Sequence, residues 1–356
     1  MSAARPPEGA HTAAEGEGAP SIAARPPEGA PVGIEVIEPG LATTVQDLGR
    51  PGYYHLGIPQ SGALDQYALR LANLLVANDE TAAALECTLL APRLQFRQDA
   101  IIAVTGAELD VRIAGQPVAR HAAHLIEAGQ QLSFGFMKSG ARAYIAVAGG
   151  IAVPVVLGSR STYGLGAFGG FAGRKLQAGD ILPLGMAARP AAIGRVAPPE
   201  FAVATPKEQL LRVLPGLYFH RLHQDSAASF FDDCWSVAPE ADRIGYRYRG
   251  GRALAFEPRV QPFGAGSDPS NIVDAGYPYG SIQVPGGSEP IILHRDAVSG
   301  GGYAMIGTVI SADMDRIAQM QPHHKARFIR VDMEQALAAR AAYRERLQRL
   351  RSALTT

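Results

Sequence analysis

The chain has 356 residues, 40 of them glycine and 26 proline, and its 33 basic side chains are balanced by 33 acidic ones. The lack of a basic excess argues against nucleic-acid or membrane-surface binding, and two cysteines, Cys87 and Cys234, are too few for a disulfide framework. At roughly 150 residues per domain the length suits two domains, and the Gly/Pro content favours a turn-rich β architecture over a helical bundle.

Residues 1–32 are rich in Ala, Pro, Gly and Glu, and AARPPEGA occurs at both 3–10 and 23–30. Such a segment has almost nothing to bury, which predicts a disordered extension. It lacks the apolar core of a signal peptide and is too acidic for a transit peptide. No window approaches the ~18 apolar residues that span a bilayer. The sequence therefore predicts a cytoplasmic protein that does not enter a membrane.

A first β domain is expected over 33–185. Strands are predicted at Ile34–Ile37, Ala83–Leu90, Leu94–Phe96, Ala100–Val104, Gln131–Phe136 and Ala141–Ala148, with a hairpin at Val111–Pro117. Between the first two lies a polar, Gly-punctuated stretch, 40–79, that carries Gln46, Asp47, Arg50, His55, Ser61 and Asp65. It runs into a helix over Gln66–Val76, where Ala68, Leu71, Ala72 and Leu75 follow helical spacing. Residues 158–180 are the densest glycine region, and 186–208 read as an Ala/Pro-rich linker. A second β domain is expected over 209–332. Residues 333–356 form a C-terminal tail whose 333–351 read as an exposed, charged helix. The halves look like copies: each opens on a strand closed by Pro-Gly, and Asp65 and Asp242 stand at matching distances behind it.

Several motifs are set aside. Gly164, Gly166 and Gly169 match G-x-G-x-x-G but precede no helix. His121/His124 and His220/His223 have metal-compatible spacing with no further ligand placed, so no metal site is assigned.

The chain resembles the biotin-dependent carboxyltransferase family, the group that includes the C-type subunit of 5-oxoprolinase, KipA and allophanate hydrolase subunit 2. The resemblance rests on Thr43–Arg50 (TTVQDLGR), Ser61–Asp65 (SGALD), Ala72–Asn78 (ANLLVAN), Val104–Ala107, Ala146–Ile151 and Gly158–Tyr163 (GSRSTY). It continues through Asp242–Arg247 (DRIGYR), Gly280–Pro285 (GSIQVP), Gly300–Tyr303 and Gln319–Pro322. Two departures stand out. Pro322-His323-His324 replaces a usual Pro-Gly-Asp turn, and Ser299-Gly300 stands where relatives carry a Thr before the double glycine.

The resemblance implies a mainly β fold of two cyclophilin-like β-barrel domains with few helices. It implies an ATP-dependent amide hydrolase subunit that converts 5-oxoproline to glutamate. A homologous partner, the B-type 5-oxoprolinase subunit or one like allophanate hydrolase subunit 1, would act with it. A LamB-like A-type subunit would be the third component. The alternatives are a carboxyltransferase component of urea or allophanate metabolism, with biotin supplied in trans, and a KipA-like regulatory module. ATP would be bound by the complex; no Walker A lysine occurs in this chain.

Amide activation needs oxyanion donors, an anion clamp and a carboxylate to handle protons. Arg50 is read as the clamp and Asp47 as an acid/base or as the group that orients Arg50, the alternative being a local ion pair. Asp65 is either a site carboxylate or a helix N-cap. Arg243 and Gln283 complete the catalytic set, Arg243 with a hairpin-surface charge as its alternative. Ser61, Gly62, Ser159, Arg160, Ser161, Thr162, Gly301, Gly302 and Tyr303 are assigned to substrate or phosphate, with tight-turn packing as the alternative for the glycine-rich turns.

Overall fold

The computed structural model describes residues 32–191 and 193–355; all but the last residue of the predicted extension lies outside them. The first half contains β1 (Ile34–Glu38), β2 (Ala42–Gln46), α1 (Gln66–Leu75), β3 (Ala84–Thr88), β4 (Arg93–Phe96), β5 (Ala100–Glu108), β6 (Val111–Ile113), β7 (Gln116–Val118), β8 (Ala123–Ile126), β9 (Gln131–Phe134), β10 (Ser139–Val147) and β11 (Ile181–Leu182). The second contains β12 (Glu208–Pro215), α2 (Gln224–Asp232), β13 (Trp235–Val237), β14 (Gly245–Arg249), β15 (Asn271–Gly276), β16 (Ser281–Gln283), β17 (Ile291–Leu293), β18 (Gly300–Tyr303), β19 (Met305–Val309), α3 (Met314–Ala318) and β20 (Lys325–Arg330), followed by α4 (Met333–Thr355).

The mainly β, helix-poor reading matches this architecture. The second half closes a seven-stranded barrel in the order β12-β19-β16-β17-β14-β13-β20, with β15 and β18 as a separate ribbon. Trp235, Phe230, Phe328 and Tyr248 fill its interior, Phe230 stacking on Phe328 at 4.6 Å. The first half is built as a six-stranded sheet (β11-β1-β4-β9-β6-β7) facing a five-stranded one (β2-β3-β10-β5-β8). Their shared core takes Val36, Leu94 and Phe96 from one sheet and Val45, Leu85, Cys87 and Ile145 from the other.

Strand alternation sends the intervening side chains to the opposite face. Thus Ala84, Tyr144 and Ala146 meet α1 behind the five-stranded sheet. Glu86 and Gln46 project on that same face, since β2 pairs Thr44 with Glu86 and Gln46 with Ala84.

Helix α1 is buried nearly all round because it is covered twice, by the sheet and by α4. Leu347, Leu350 and Leu354 of α4 pack against its Leu71, Leu74 and Leu75. The C-terminal helix is therefore docked along one face rather than exposed. Segment 186–208 is also partly docked: Phe201 is buried against α1 and its carbonyl accepts from Tyr67 Oη at 3.1 Å.

The two matching aspartates have diverged. Asp65 caps α1, its Oδ1 accepting from Ala68 N at 2.8 Å. Asp242 makes an Asx turn, accepting from Ile244 N and Gly245 N. At the family departure near the end, His323 takes a φ of 69°, the left-handed region that glycine occupies without strain.

Because Leu350 is fully buried between α4 and α1, Leu350→Ala should lower stability by about 2–5 kcal/mol. Urea denaturation would measure it. A loss of a few tenths would mean that α4 is not part of the folded unit.

Candidate active site at the junction of the two halves

Two chain crossings build the site. Leu48–Arg50 runs against Gln60–Gly62 at a separation only glycine permits. A Cβ on Gly49 would lie 2.6 Å from the Gln60 carbonyl oxygen, and one on Gly62 would lie 2.7 Å from Gly49 N. Both glycines have positive φ, 91° and 88°. The Arg50 N–H donates to the Gln60 carbonyl at 2.7 Å, and the Ala63 N–H to the Asp47 carbonyl at 2.8 Å.

The second crossing brings in Ser159–Thr162. Asp47 accepts from Ser159 Oγ at 2.6 Å, Ser161 Oγ at 2.5 Å, Arg160 N at 2.6 Å and Gly49 N at 2.7 Å. Four donors on one carboxylate suit the orienting role, not that of a free base. Arg50 Nη2 donates to the Ser161 carbonyl, and Gln46 Nε2 donates to the Thr162 carbonyl at 3.2 Å. Thr162 Oγ1 donates to the Val45 carbonyl at 3.0 Å. The turn's three hydroxyls are thus engaged in building the site.

Arg50 is 1% exposed, and its guanidinium lies 5.0 Å from the Phe168 ring. Its Nε and Nη1 have no partner. Ser61 Oγ and Gln46 Oε1, on fully buried residues, are also unpaired. Burial pulls the Arg50 pKa below its ordinary value; Asp47 and Asp296 oppose that and Arg243 adds to it. Unpaired buried polar atoms of this kind normally have a ligand or water partner.

The second half reaches the same place through Arg243, Arg295 and Asp296. Arg243 donates to Asp296 Oδ2 at 2.7 Å, to Glu86 Oε1 at 2.5 Å and to the Gly62 carbonyl at 2.8 Å. Asp296 and Glu86 outweigh burial and hold its pKa above the ordinary guanidinium value. The Arg295 carbonyl accepts from Ser61 N at 3.0 Å, and its guanidinium packs 4.6 Å from the Tyr279 ring, leaving Nε unpaired.

Behind this lies a buried polar network. Glu86 also accepts from Leu64 N and Tyr144 Oη, both at 2.8 Å, with Arg142 Nε at 3.7 Å. Burial pushes the Glu86 pKa up, but Arg243 and Arg142 more than reverse this, leaving it lowered. Asp65 accepts from Gln319 Nε2 at 2.7 Å. Asp315 of α3 accepts from Gln66 N at 3.0 Å and from Tyr343 Oη at 2.6 Å. Burial and Asp315 push the Asp65 carboxyl up to about 8.

The structure therefore brings Asp47, Arg50, Ser61, Gly62, Ser159, Arg160, Ser161, Thr162 and Arg243 together. Asp65 lies behind them as a helix cap. Gln283 and Gly301, Gly302 and Tyr303 belong to another part of the second half, where Tyr277 Oη donates to the Tyr303 carbonyl at 2.8 Å and Gly301 packs on the Tyr277 ring. Among the described residues no hydrogen bond or ion pair joins them to Arg50. Arg247, at the end of the Asp242–Arg247 motif, pairs with Glu289 at 3.3 Å. Gln46, Glu86, Arg295 and Asp296 are the residues that sequence reasoning passed over as site groups. Gln46 carried a signal in its place within the Thr43–Arg50 motif, and Glu86 as a lone charge inside the apolar run Ala83–Leu90.

A model of the "Carboxyltransferase domain, subdomain A and B" matches residues 56–330. The chain belongs to this carboxyltransferase-domain family. It is 37% identical over 312 residues to the C-type 5-oxoprolinase subunit of Escherichia coli K12, covering 86% of this chain and 94% of that one. It is 34% identical over 318 residues to urea amidolyase of Lachancea kluyveri, covering 86% of this chain but only 17% of that much longer protein. Among solved structures, the K. lactis urea amidolyase superposes with a TM-score of 0.84 at 32% identity, over 90% of this chain and 20% of that one. No helix among the described residues is long and apolar enough to cross a membrane.

Within this carboxyltransferase domain, Glu86→Gln should cost about 3–5 kcal/mol, because it leaves buried Arg243 and Arg142 short of their counter-charge; denaturant titration reads the loss. A second outcome concerns pH. Asp65 keeps its proton in the folded state up to about 8, whereas an unfolded aspartate loses it near 3.8. That contribution is present at low pH and is lost as pH rises through this window. Stability of the wild type relative to Asp65→Asn should fall from pH 5 to pH 8. Parallel profiles would show that Asp65 is ionised throughout.

Proposed function

We propose that this chain is the C-type subunit of an ATP-dependent 5-oxoproline hydrolase, releasing glutamate together with its partners. The observation that carries the reading is Arg50. It is a buried guanidinium with unpaired N–H groups, aligned by Asp47 through the Ser159–Ser161 turn, in a chain that spans 94% of a C-type 5-oxoprolinase subunit. Burial strengthens its attraction for negative charge developing on an amide oxygen or carried by a substrate carboxylate. Ser61 Oγ lies on the segment that crosses Arg50 and offers a further hydrogen bond. Arg243, fixed by Glu86 and Asp296, holds the Gly62 carbonyl and with it the crossing.

ATP supplies the activating phosphoryl group in this reading. The hydroxyls of Ser159, Ser161 and Thr162 are committed to Asp47 and Val45 and do not form a phosphate cradle. We therefore assign nucleotide binding to the homologous B-type partner.

A second reading is supported by the superposition on urea amidolyase: carboxyl transfer to an amide nitrogen, with carboxybiotin delivered on another protein. The unpaired Arg50 and Gln46 atoms suit a carboxylated ureido group equally well.

The test is co-expression with both the homologous B-type partner and a LamB-like protein, followed by an assay of glutamate release from 5-oxoproline. Release should require ATP and all components. Arg50→Ala should lower kcat by about 100-fold or more, the scale for loss of an oxyanion donor, with circular dichroism unchanged. An intact complex that releases no glutamate would retire the hydrolase reading in favour of carboxyl transfer.

A further inference from the structure

The buried arginines of this protein are held in different ways. Arg243 is gripped by acceptors: Nε and Nη2 donate to Asp296, Nη1 to Glu86, and Nη2 also to the Gly62 carbonyl. Every nitrogen of that guanidinium is engaged. Arg50 is as deeply placed, at 1% exposure, but its guanidinium makes a single hydrogen bond, from Nη2 to the Ser161 carbonyl. Its Nε and Nη1 have no partner. A long, rotamer-rich side chain tied by one bond needs a further restraint to stay in one place.

The restraint comes from the glycine-dense loop 163–170. The Arg50 guanidinium lies over the Phe168 ring, 5.0 Å from its centre. Gly169 follows so closely that a Cβ there would lie 2.7 Å from Arg50 Nη2. Phe168 is itself fixed by Tyr163. The two residues form an antiparallel bridge, with Tyr163 N donating to the Phe168 carbonyl at 3.0 Å, and their rings meet edge-on at 5.4 Å. The loop tip between them, 164–167, is exposed, and Leu165 is 70% in solvent. What the loop delivers inward is the Phe168 ring and the bare Gly169 backbone.

A phenyl ring suits this position for a chemical reason. Its face attracts a cation, yet it has no lone pair and takes no N–H. A carboxylate here would hold Arg50 as firmly but would neutralise it and occupy its donors, as Glu86 and Asp296 do for Arg243. We propose that Phe168 is a positioning residue: its ring holds the Arg50 guanidinium in one orientation, away from water, while leaving Nε and Nη1 free for a ligand. This rests on the reading of Arg50 as the anion clamp and adds the group that keeps the clamp aimed.

Two measurements test the proposal, the first independent of turnover. Modification of the full chain by 2,3-butanedione in borate, mapped by peptide mass spectrometry, reports how freely each arginine leaves its place. In Phe168→Leu, Arg50 should react at least about fivefold faster than in the wild type, the scale of a desolvated cation–π contact. Phe168→Tyr keeps the ring and should react as slowly as the wild type. Arg142 and Arg243 should react equally in all three proteins, which separates local release from unfolding. Equal Arg50 reactivity in Phe168→Leu and the wild type overturns the proposal. If Phe168→Leu and Phe168→Met both fail to fold, Phe168 is a core residue and the proposal falls as well.

The second measurement is glutamate release by the complex with all components. Phe168→Leu should lower kcat about tenfold with KM changed by less than about twofold, and Phe168→Tyr should restore kcat. An unchanged kcat in Phe168→Leu, where Arg50→Ala is inactive, overturns the proposal and leaves the reading of Arg50 standing. Turnover that survives Arg50→Ala retires that reading instead, and the modification rates then decide alone whether Phe168 holds Arg50. The same rates decide if the complex releases no glutamate.

Discussion

One buried carboxylate ties the two halves of this protein together. Glu86 stands on the five-stranded sheet and faces α1, fully enclosed, and it is the anchor for Arg243 from across the junction. An isolated carboxylate there would be strongly disfavoured. It is ionised because Arg243, Arg142, Leu64 N and Tyr144 Oη surround it. In turn, Arg243 can grip the Gly62 carbonyl and Asp296 only because Glu86 holds its other nitrogen. The position of the 60–62 segment, and hence of Ser61 beside Arg50, follows from that grip.

Around this anchor the chain uses α1 as a spacer. Its N-terminus is capped from both halves, by its own Asp65 and by Asp315. Tyr343 of α4 binds the same Asp315, and Arg346 covers the Tyr67 ring at 4.1 Å. The C-terminal helix thus closes over a junction formed by residues far apart in sequence, such as Gln66 and Asp315, 249 positions apart. Sheet, helix, second half and C-terminal helix pack as one layered unit. The polar groups within it specify one relative placement, because any slip would leave charges buried and unpaired.

The site in front of this network is a different kind of polar region. Behind α1 nearly every donor meets an acceptor. At Arg50, Arg295, Ser61 and Gln46 several do not. The contrast within one molecule, at similar burial, separates groups that hold the fold from groups left for something else. Asp47 belongs to the first kind: four donors engage it, and its function is to aim the turn that aims Arg50.

Much of this was legible in the sequence. The strands of the first half, the helix from Gln66 and the crowding of Gln46, Asp47, Arg50 and Ser61 into one glycine-punctuated stretch all follow from local patterns of period two, period 3.6 and turn chemistry. The family resemblance added the expectation of two β units and of a role for Arg50. The docked face of α4 was also present, as Ala336, Ala339, Leu347, Leu350 and Leu354, but charged neighbours masked it. Tertiary structure alone decided the rest. Glu86 looked like an interruption in an apolar strand until β10 and Arg243 surrounded it. Arg295 and Asp296 had no motif; Gln283 stands on barrel strand β16 and Gly301–Gly302 on the β15–β18 ribbon, with no hydrogen bond to Arg50. Local sequence determines which side chains a strand or turn presents. Which of them meet across the junction depends on long-range pairing and buried charge, and no local pattern encodes that.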